Sequence, residues 1–86
     1  MNEIINEKVA VITVFDPEKG VVIPAKIKWG RRIHSIDKVG YHHTVRCGRK
    51  LMHIFSVAND SLAFRLSLDT ENLHWTLEEV SDGFAS

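Results

Sequence analysis

The sequence has 86 residues, of which 44% are hydrophobic, and it balances 11 basic side chains with 11 acidic ones. A chain of this length builds one domain, and its apolar fraction is too high for a disordered protein. The single cysteine, Cys47, excludes an internal disulfide, and the start "MNEIINEK" lacks a signal-peptide pattern, so we expect a cytoplasmic protein.

The first regular pattern is an apolar segment that runs from Lys8 to Phe15, and we predict that residues 1–7 before it are flexible. Apolar residues occupy both the odd and the even positions of this segment, which point to opposite faces of a strand. It is therefore predicted to be a strand that is buried on both faces or that passes between two sheets. The sequence "DPEKG" at 16–20 then places a proline and a glycine where a tight turn needs them, which predicts a hairpin.

Apolar residues alternate with Lys26 and Lys28 in "AKIKWG" at 25–30, which is typical of a strand with one dry and one wet face. Pro24 before it indicates an edge, a bulge or the start of a strand. Gly30 with Arg31 fits a two-residue turn that has glycine in its first position. In "RIHSIDKV" at 32–39 the apolar spacing breaks, which a bulge or a short helical turn would explain.

A second Gly-Arg pair, Gly48 and Arg49, lies between two β-rich runs and predicts a type II′ hairpin. Pairing Cys47 with Lys50 then fixes the register, so that Thr44 faces His53. One face of this hairpin is predicted to carry His43, Val45, Cys47, Met52 and Ile54. The other is predicted to carry His42, Arg46, Leu51, His53 and Phe55.

Two more strands follow. "LAFRLSLD" at 62–69 alternates with Leu66 and Leu68 on its apolar face. In "LHWTLEEV" at 73–80, Trp75 and its neighbours favour a strand, although a helix with Leu73, Leu77 and Val80 on one face also fits the spacing. Residues 81–86 are predicted to be a flexible tail.

These elements sum to six or seven short strands without a long helix. The sequence therefore predicts an all-β protein with one domain over residues 8–80. We expect a small antiparallel barrel or meander, SH3-like or OB-like, because closure removes exposed strand edges.

The order of the motifs "FDPEKG", "PAKIKWGRR", "IDKV", "HTVRCGRK" and "HWTLEE" resembles that of a group of small, uncharacterised bacterial β-proteins. The resemblance covers roughly residues 9–79 and implies the same β-barrel fold. It implies no activity and no site residue. The double histidine and the cysteine of "HHTVRCG" depart from the pattern of the group.

Histidines and a cysteine in the stretch "YHHTVRCGRKLMHIF" at 41–55 raise the question of a metal or catalytic site. His43 and Cys47 share a face but are about 13 Å apart along one strand, too far for one tetrahedral ion. His42 and His53 are diagonal neighbours that could touch one ion, but no acidic residue or cysteine joins them nearby. We therefore predict no metal, no cofactor and no catalytic residue, and we expect the histidines to be ordinary residues on polar faces of strands. Cys47 is expected to be a buried or half-buried thiol that fills a strand position.

Charge is unevenly distributed along the chain. Residues 26–50 hold eight basic residues and a single acidic one, Asp37, whereas the segments on both sides are acidic. If the two Gly-Arg turns project from the same end of the barrel, they form one basic rim. The predicted contact residues are Lys26, Lys28, Arg31, Arg32, Arg46, Arg49 and Lys50.

This rim leads us to predict a non-enzymatic binding or adaptor module that recognises a protein partner, with self-association as one form of that role. Nucleic-acid binding through the same residues is the alternative, because basic side chains near aromatic ones suit single strands. The neutral overall charge weighs against this alternative. No membrane association is expected.

Overall fold

A computed structural model describes residues 2–82 of the chain, and these residues form seven antiparallel strands and no helix. The predicted all-β class is therefore confirmed. The strands are β1 (Asn2–Asp16), β2 (Val21–Trp29), β3 (Arg32–Ser35), β4 (Lys38–Cys47), β5 (Lys50–Ala58), β6 (Ala63–Asp69) and β7 (Trp75–Ser81).

All seven strands belong to one sheet with the order β3-β2-β1-β7-β6-β5-β4. The sheet is not closed, because its edge strands β3 and β4 do not pair with each other. These strands are consecutive in the sequence, and Ile36 and Asp37 connect them. The N–H of Ile36 donates to Ala25 in β2 (2.9 Å), and the N–H of Asp37 donates to Ala58 in β5 (2.9 Å). The connection thus ties the two halves of the sheet together at one point.

The turn chemistry that the sequence predicts is present. Asp16 accepts hydrogen bonds from the backbone N–H groups of Glu18 (3.0 Å) and Lys19 (3.3 Å), which organises the β1–β2 turn. Gly20 closes this turn with a φ of 69°. In the two Gly-Arg turns, Gly30 (φ 63°) and Gly48 (φ 61°) occupy the left-handed region, as a type II′ turn requires of its first residue.

The core lies on the inward face of β5, β6 and β7, with contributions from β2. Phe64, Leu66 and Leu68 are buried in β6, as the predicted alternation requires, and Arg65 is exposed. The predicted wet face is nevertheless not wet along its whole length, because Ser67 (2% exposed) and Asp69 (9% exposed) are buried as well. The buried cluster consists of Ile27, Phe55, Val57, Phe64, Leu66, Leu68, Trp75, Leu77 and Val80.

Strand β7 settles the choice between strand and helix for the last element. Leu66 pairs with Leu77 and Arg65 pairs with Glu79, so Glu78 is an extra residue that forms a β-bulge. The bulge places Leu77 and Val80, three residues apart, on the same inward face. A helix-like spacing therefore arises from a strand, and the helical alternative is wrong.

Several boundaries and exposures differ from expectation. Strand β1 begins at Asn2, where it pairs with Ser81 of β7, so most of residues 1–7 form part of the sheet. Of the predicted tail, Ser81 belongs to β7, and residues 83–86 lie outside the described residues. The broken spacing at 33–39 reflects the two-residue connection between β3 and β4. A bulge is also present, but it follows this segment, at Gly40 in β4.

Candidate functional site

The two Gly-Arg turns lie at opposite ends of the sheet. Successive neighbours in the order from β2 to β5 are all antiparallel, so β2 and β5 run in the same direction. The turn with Arg31 follows the end of β2, and the turn with Arg49 precedes the start of β5. The predicted contact residues therefore do not form one rim but divide into two groups.

The basic group of β2–β3 consists of Lys26, Lys28, Arg31 and Arg32. All four side chains are exposed. No carboxylate of residues 2–82 lies within ion-pair distance of any of them. Their charges are therefore available to a partner.

The basic group of β4–β5 consists of Arg46, Arg49 and Lys50, and it is partly neutralised. Lys50 forms an ion pair with Asp69 at an Nζ–Oδ2 distance of 3.2 Å. The hydrogen bond and the charge of Asp69 raise the pKa of Lys50. Arg46 and Arg49 remain without an ion pair in the described part of the chain.

The outer face of β1–β3 exposes apolar side chains beside the first basic group. Ile12 and Val14 are each 58% exposed, and Ile33 is 63% exposed. Burial of β1 on both faces, one of its two predicted arrangements, is therefore wrong. The pairing is closer to the other, a strand that passes from one part of the sheet to another, because residues 2–9 pair with β7 and residues 10–16 pair with β2. In the sheet, Ile12 lies opposite Lys26 and Lys28 lies opposite Ile33.

These side chains surround a shallow depression of about 130 Å³, which Ala10, Val11, Ile12, Lys26, Lys28 and Ile33 line. The sequence showed which apolar residues of β1 share a face, but it did not show that this face is exposed to solvent. Strand alternation alone does not say what covers each face. Apolar residues that are exposed together in this way mark interaction surfaces.

The predicted hairpin register from Cys47–Lys50 to His43–Ile54 is confirmed residue by residue. The face of His42 and His53 is the inward one, because its Phe55 belongs to the buried cluster. Ile54 on the opposite face is also buried (6% exposed) but does not belong to that cluster. The expectation of histidines on a polar outer face is therefore wrong for these two residues. Cys47 lies on the opposite face and is exposed, not buried or half-buried as predicted.

His42 and His53 form a hydrogen-bonded pair, with 2.7 Å between His42 Nε2 and His53 Nδ1. Their ring planes differ by 5° and their centroids are 5.0 Å apart. This separation equals the hydrogen bond plus one ring radius on each side, so the rings lie edge to edge in one plane. The His42 ring also stacks on Phe55 at a centroid distance of 4.5 Å.

This arrangement suits a shared proton and not a metal ion. The two nitrogens point at each other across 2.7 Å, whereas an ion between them would need about 2 Å to each nitrogen. Within residues 2–82, no three side chains of His, Cys, Asp or Glu are grouped so that they could hold a metal.

Comparison with known proteins was made for the whole chain. No family model, curated protein or solved structure matches it. The resemblance to small bacterial β-proteins therefore stays a prediction. The described residues include no helix that is long and apolar enough to cross a membrane.

The environment of His42 predicts how stability depends on pH. Burial, followed by the charges of His53, His43 and Lys19, lowers the pKa of His42 from its ordinary value of 6.5. A lowered pKa means that the unfolded chain binds this proton more readily than the folded chain. The free energy of unfolding is therefore expected to be highest above pH 6.5 and to fall as the pH drops below it.

Urea denaturation at several pH values, with the His42 titration followed by NMR, checks this expectation. The variant His42→Gln should show a weaker decline in stability between pH 7 and pH 5 than the parent protein. A His42 titration midpoint above 6.5 would contradict it.

Proposed function

We propose that this chain is a non-catalytic protein-binding module whose contact surface is the outer face of β1–β3. The observation that carries the proposal is the set of exposed apolar side chains, Ile12, Val14 and Ile33, beside lysines without ion pairs. Apolar side chains supply the buried centre of an interface, and charges around them select the partner. The partner surface is accordingly apolar with acidic residues around it.

Charge favours a different protein over a second copy of this chain on this surface. In a two-fold dimer the same patch meets itself, so that the lysines of one copy would lie near those of the other. Lys26 and Lys28 would then repel their equivalents, because neither has an ion pair within the described residues. The carboxylate of Asp16, at the end of β1, is already engaged by the turn N–H groups of Glu18 and Lys19. An acidic partner removes this repulsion.

The frame that carries this surface is best understood as a small SH3-like or OB-like barrel that is incompletely closed. The support for this part of the proposal is the pair of hydrogen bonds by which Ile36 and Asp37 reach Ala25 and Ala58. These bonds anchor the connection between the edge strands β3 and β4 to both β2 and β5.

Nucleic-acid binding has weaker support. A phosphate backbone would engage the basic residues but would leave Ile12 and Ile33 exposed. The separation of the two Gly-Arg turns also removes the continuous basic rim on which that alternative was based.

The test starts with a zero-length carbodiimide crosslinker, which joins lysines to carboxylates, applied in cells that express the chain. The crosslinked partner is then purified, and its affinity for this chain is measured by calorimetry. We expect the crosslinks at Lys26 or Lys28. The double variant Lys26→Glu/Lys28→Glu should weaken binding about tenfold or more, since each charge contact contributes up to about 1 kcal/mol.

The matched control for the single variants Lys26→Glu and Lys28→Glu is Lys38→Glu, which makes the same charge change at an exposed lysine of β4. It should leave the affinity unchanged. Ile33→Asp should weaken binding while the melting temperature stays the same. Equal affinities for all variants would refute the proposal, and salt-sensitive binding to mixed oligonucleotides without a protein partner would replace it by the alternative.

A further inference from the structure

An opening lies between β2 and β4, away from the outer face of β1–β3. Strand β2 pairs with β3 only from Lys26 to Trp29, so Val21–Pro24 have a free edge. Strand β4 pairs only with β5, so its other edge is free from Gly40 to Cys47. The Ile36–Asp37 connection holds the two strands together at one end, and the opening extends from there toward the β1–β2 turn.

The hairpin geometry identifies which β4 groups face this opening. Residues that flank a two-residue turn exchange both backbone hydrogen bonds, and bonded and non-bonded pairs then alternate along the ladder. Cys47 and Val45 therefore bond to β5. The backbone N–H and C=O groups of His42, Thr44 and Arg46 point to the free edge.

A pocket of about 210 Å³ lies between the start of β2 and strands β5 and β6, next to the opening, and its lining is mostly apolar. Val21 and Val22 form one wall, Leu68 forms another, and His53 supplies a polar group. The volume accommodates one apolar side chain of an added segment.

The histidine pair leaves one donor and one acceptor for such a segment. If His53 Nδ1 donates to His42 Nε2, then His42 Nδ1 carries a proton and His53 Nε2 accepts; in the other tautomer the roles are exchanged. A peptide bond or a side-chain amide matches this combination. Protonation of the pair converts both outer nitrogens into donors, which match a carboxylate.

Basic side chains without an ion pair favour an acidic occupant of the opening, since Asp69 at the same end of the sheet is already paired with Lys50. Arg46 and Arg49 are exposed and have no ion pair within the described residues. Lys19 in the β1–β2 turn is close enough to act electrostatically on His42. A second copy of β4 would bring the same arginines together and is disfavoured.

We propose that the opening between β2 and β4 binds an extended acidic segment of a partner protein, which adds a strand to β4 and inserts an apolar side chain beside His53. Strand addition of this kind takes its affinity from backbone hydrogen bonds and its specificity from pockets for alternate side chains. This site is separate from the proposed contact surface on β1–β3, so that each can fail without the other.

The probe is a set of peptides selected on the protein from a phage-displayed library of random short sequences. We expect enriched peptides that contain β-branched residues, at least one acidic residue and no proline in the paired part. In the free protein the Thr44 amide should exchange rapidly with solvent, and the peptide should slow this exchange at least tenfold. The Val45 amide, which already pairs with β5, serves as the internal control.

The decisive variant is Thr44→Pro, which removes a free-edge N–H without breaking the ladder to β5. It should lose peptide binding at least tenfold relative to Thr44→Val, which keeps the N–H. If Thr44→Pro does not fold, the exchange measurement on the unmodified protein still decides. The proposal is overturned if no peptide is enriched, if the peptide protects only β1–β3 amides, or if the free protein is a dimer with Thr44 already protected.

Discussion

Replacing Leu66 with alanine should destabilise the protein by about 2–5 kcal/mol, the usual range for removing a buried leucine side chain. Leu66 is 0% exposed and lies in the central part of the core, on a strand that pairs with both β5 and β7. A domain of this size has a total stability of only about 4–13 kcal/mol. The variant should therefore melt about 10 °C or more below the parent protein.

Ile33→Ala is the matched control for this experiment. It removes apolar atoms from a side chain that is 63% exposed, so its effect should stay within about 0.5 kcal/mol. Urea denaturation gives both values, provided that the slope of the free energy against urea is the same for all three proteins. A loss below about 1 kcal/mol for Leu66→Ala would mean that the core is not centred on β6.

The sequence predicts local features of this fold well because short turns specify them. The Gly48–Arg49 turn fixes the register of the whole β4–β5 hairpin, and alternation then identifies the buried face of β6. The exposure of Ile12 was not predictable in the same way. Alternation shows which residues share a face, but whether a neighbouring layer covers that face depends on the rest of the fold.

The positions of the two basic groups depend on how the chain bends between β3 and β4. The bend at Ile36 and Asp37 makes β3 and β4 run in the same direction, so the two Gly-Arg turns come to opposite ends of the sheet. In the sequence this bend is only a break in apolar spacing, which a bulge or a helical turn would also produce. The pairing of β1 with β7 likewise joins the two ends of the domain, and no local pattern encodes it.

The hydrogen-bonded histidines illustrate the same limit at the level of side chains. Register correctly makes His42 and His53 diagonal neighbours on one face. The register does not reveal that this face is inward. Two histidines and an arginine make the face look polar from the sequence, although it also carries Phe55. The burial of Phe55 beneath β6 and β7 determines their surroundings.

Gly48→Val is expected to cost about 1–2 kcal/mol through the backbone alone. Gly48 has a φ of 61°, a conformation that costs an L-residue about this much, and a β-branched side chain tolerates it poorly. A Cβ at this position would meet nothing within 4 Å, so side-chain clashes do not contribute. Thermal and urea denaturation measure the loss.

Two controls separate this backbone effect from the general effect of adding a side chain. Gly48→Asn should lose less stability than Gly48→Val, because asparagine enters the left-handed region more readily. Gly40→Ala should change stability by no more than about 0.5 kcal/mol, since Gly40 lacks a positive φ and its added Cβ would lie 3.5 Å from the Ser56 carbonyl oxygen, an ordinary contact. If valine and asparagine at position 48 prove equally stable, the turn does not hold its first residue in the left-handed region. The hairpin register, and with it the set of β4 groups that face the opening, would then need another origin.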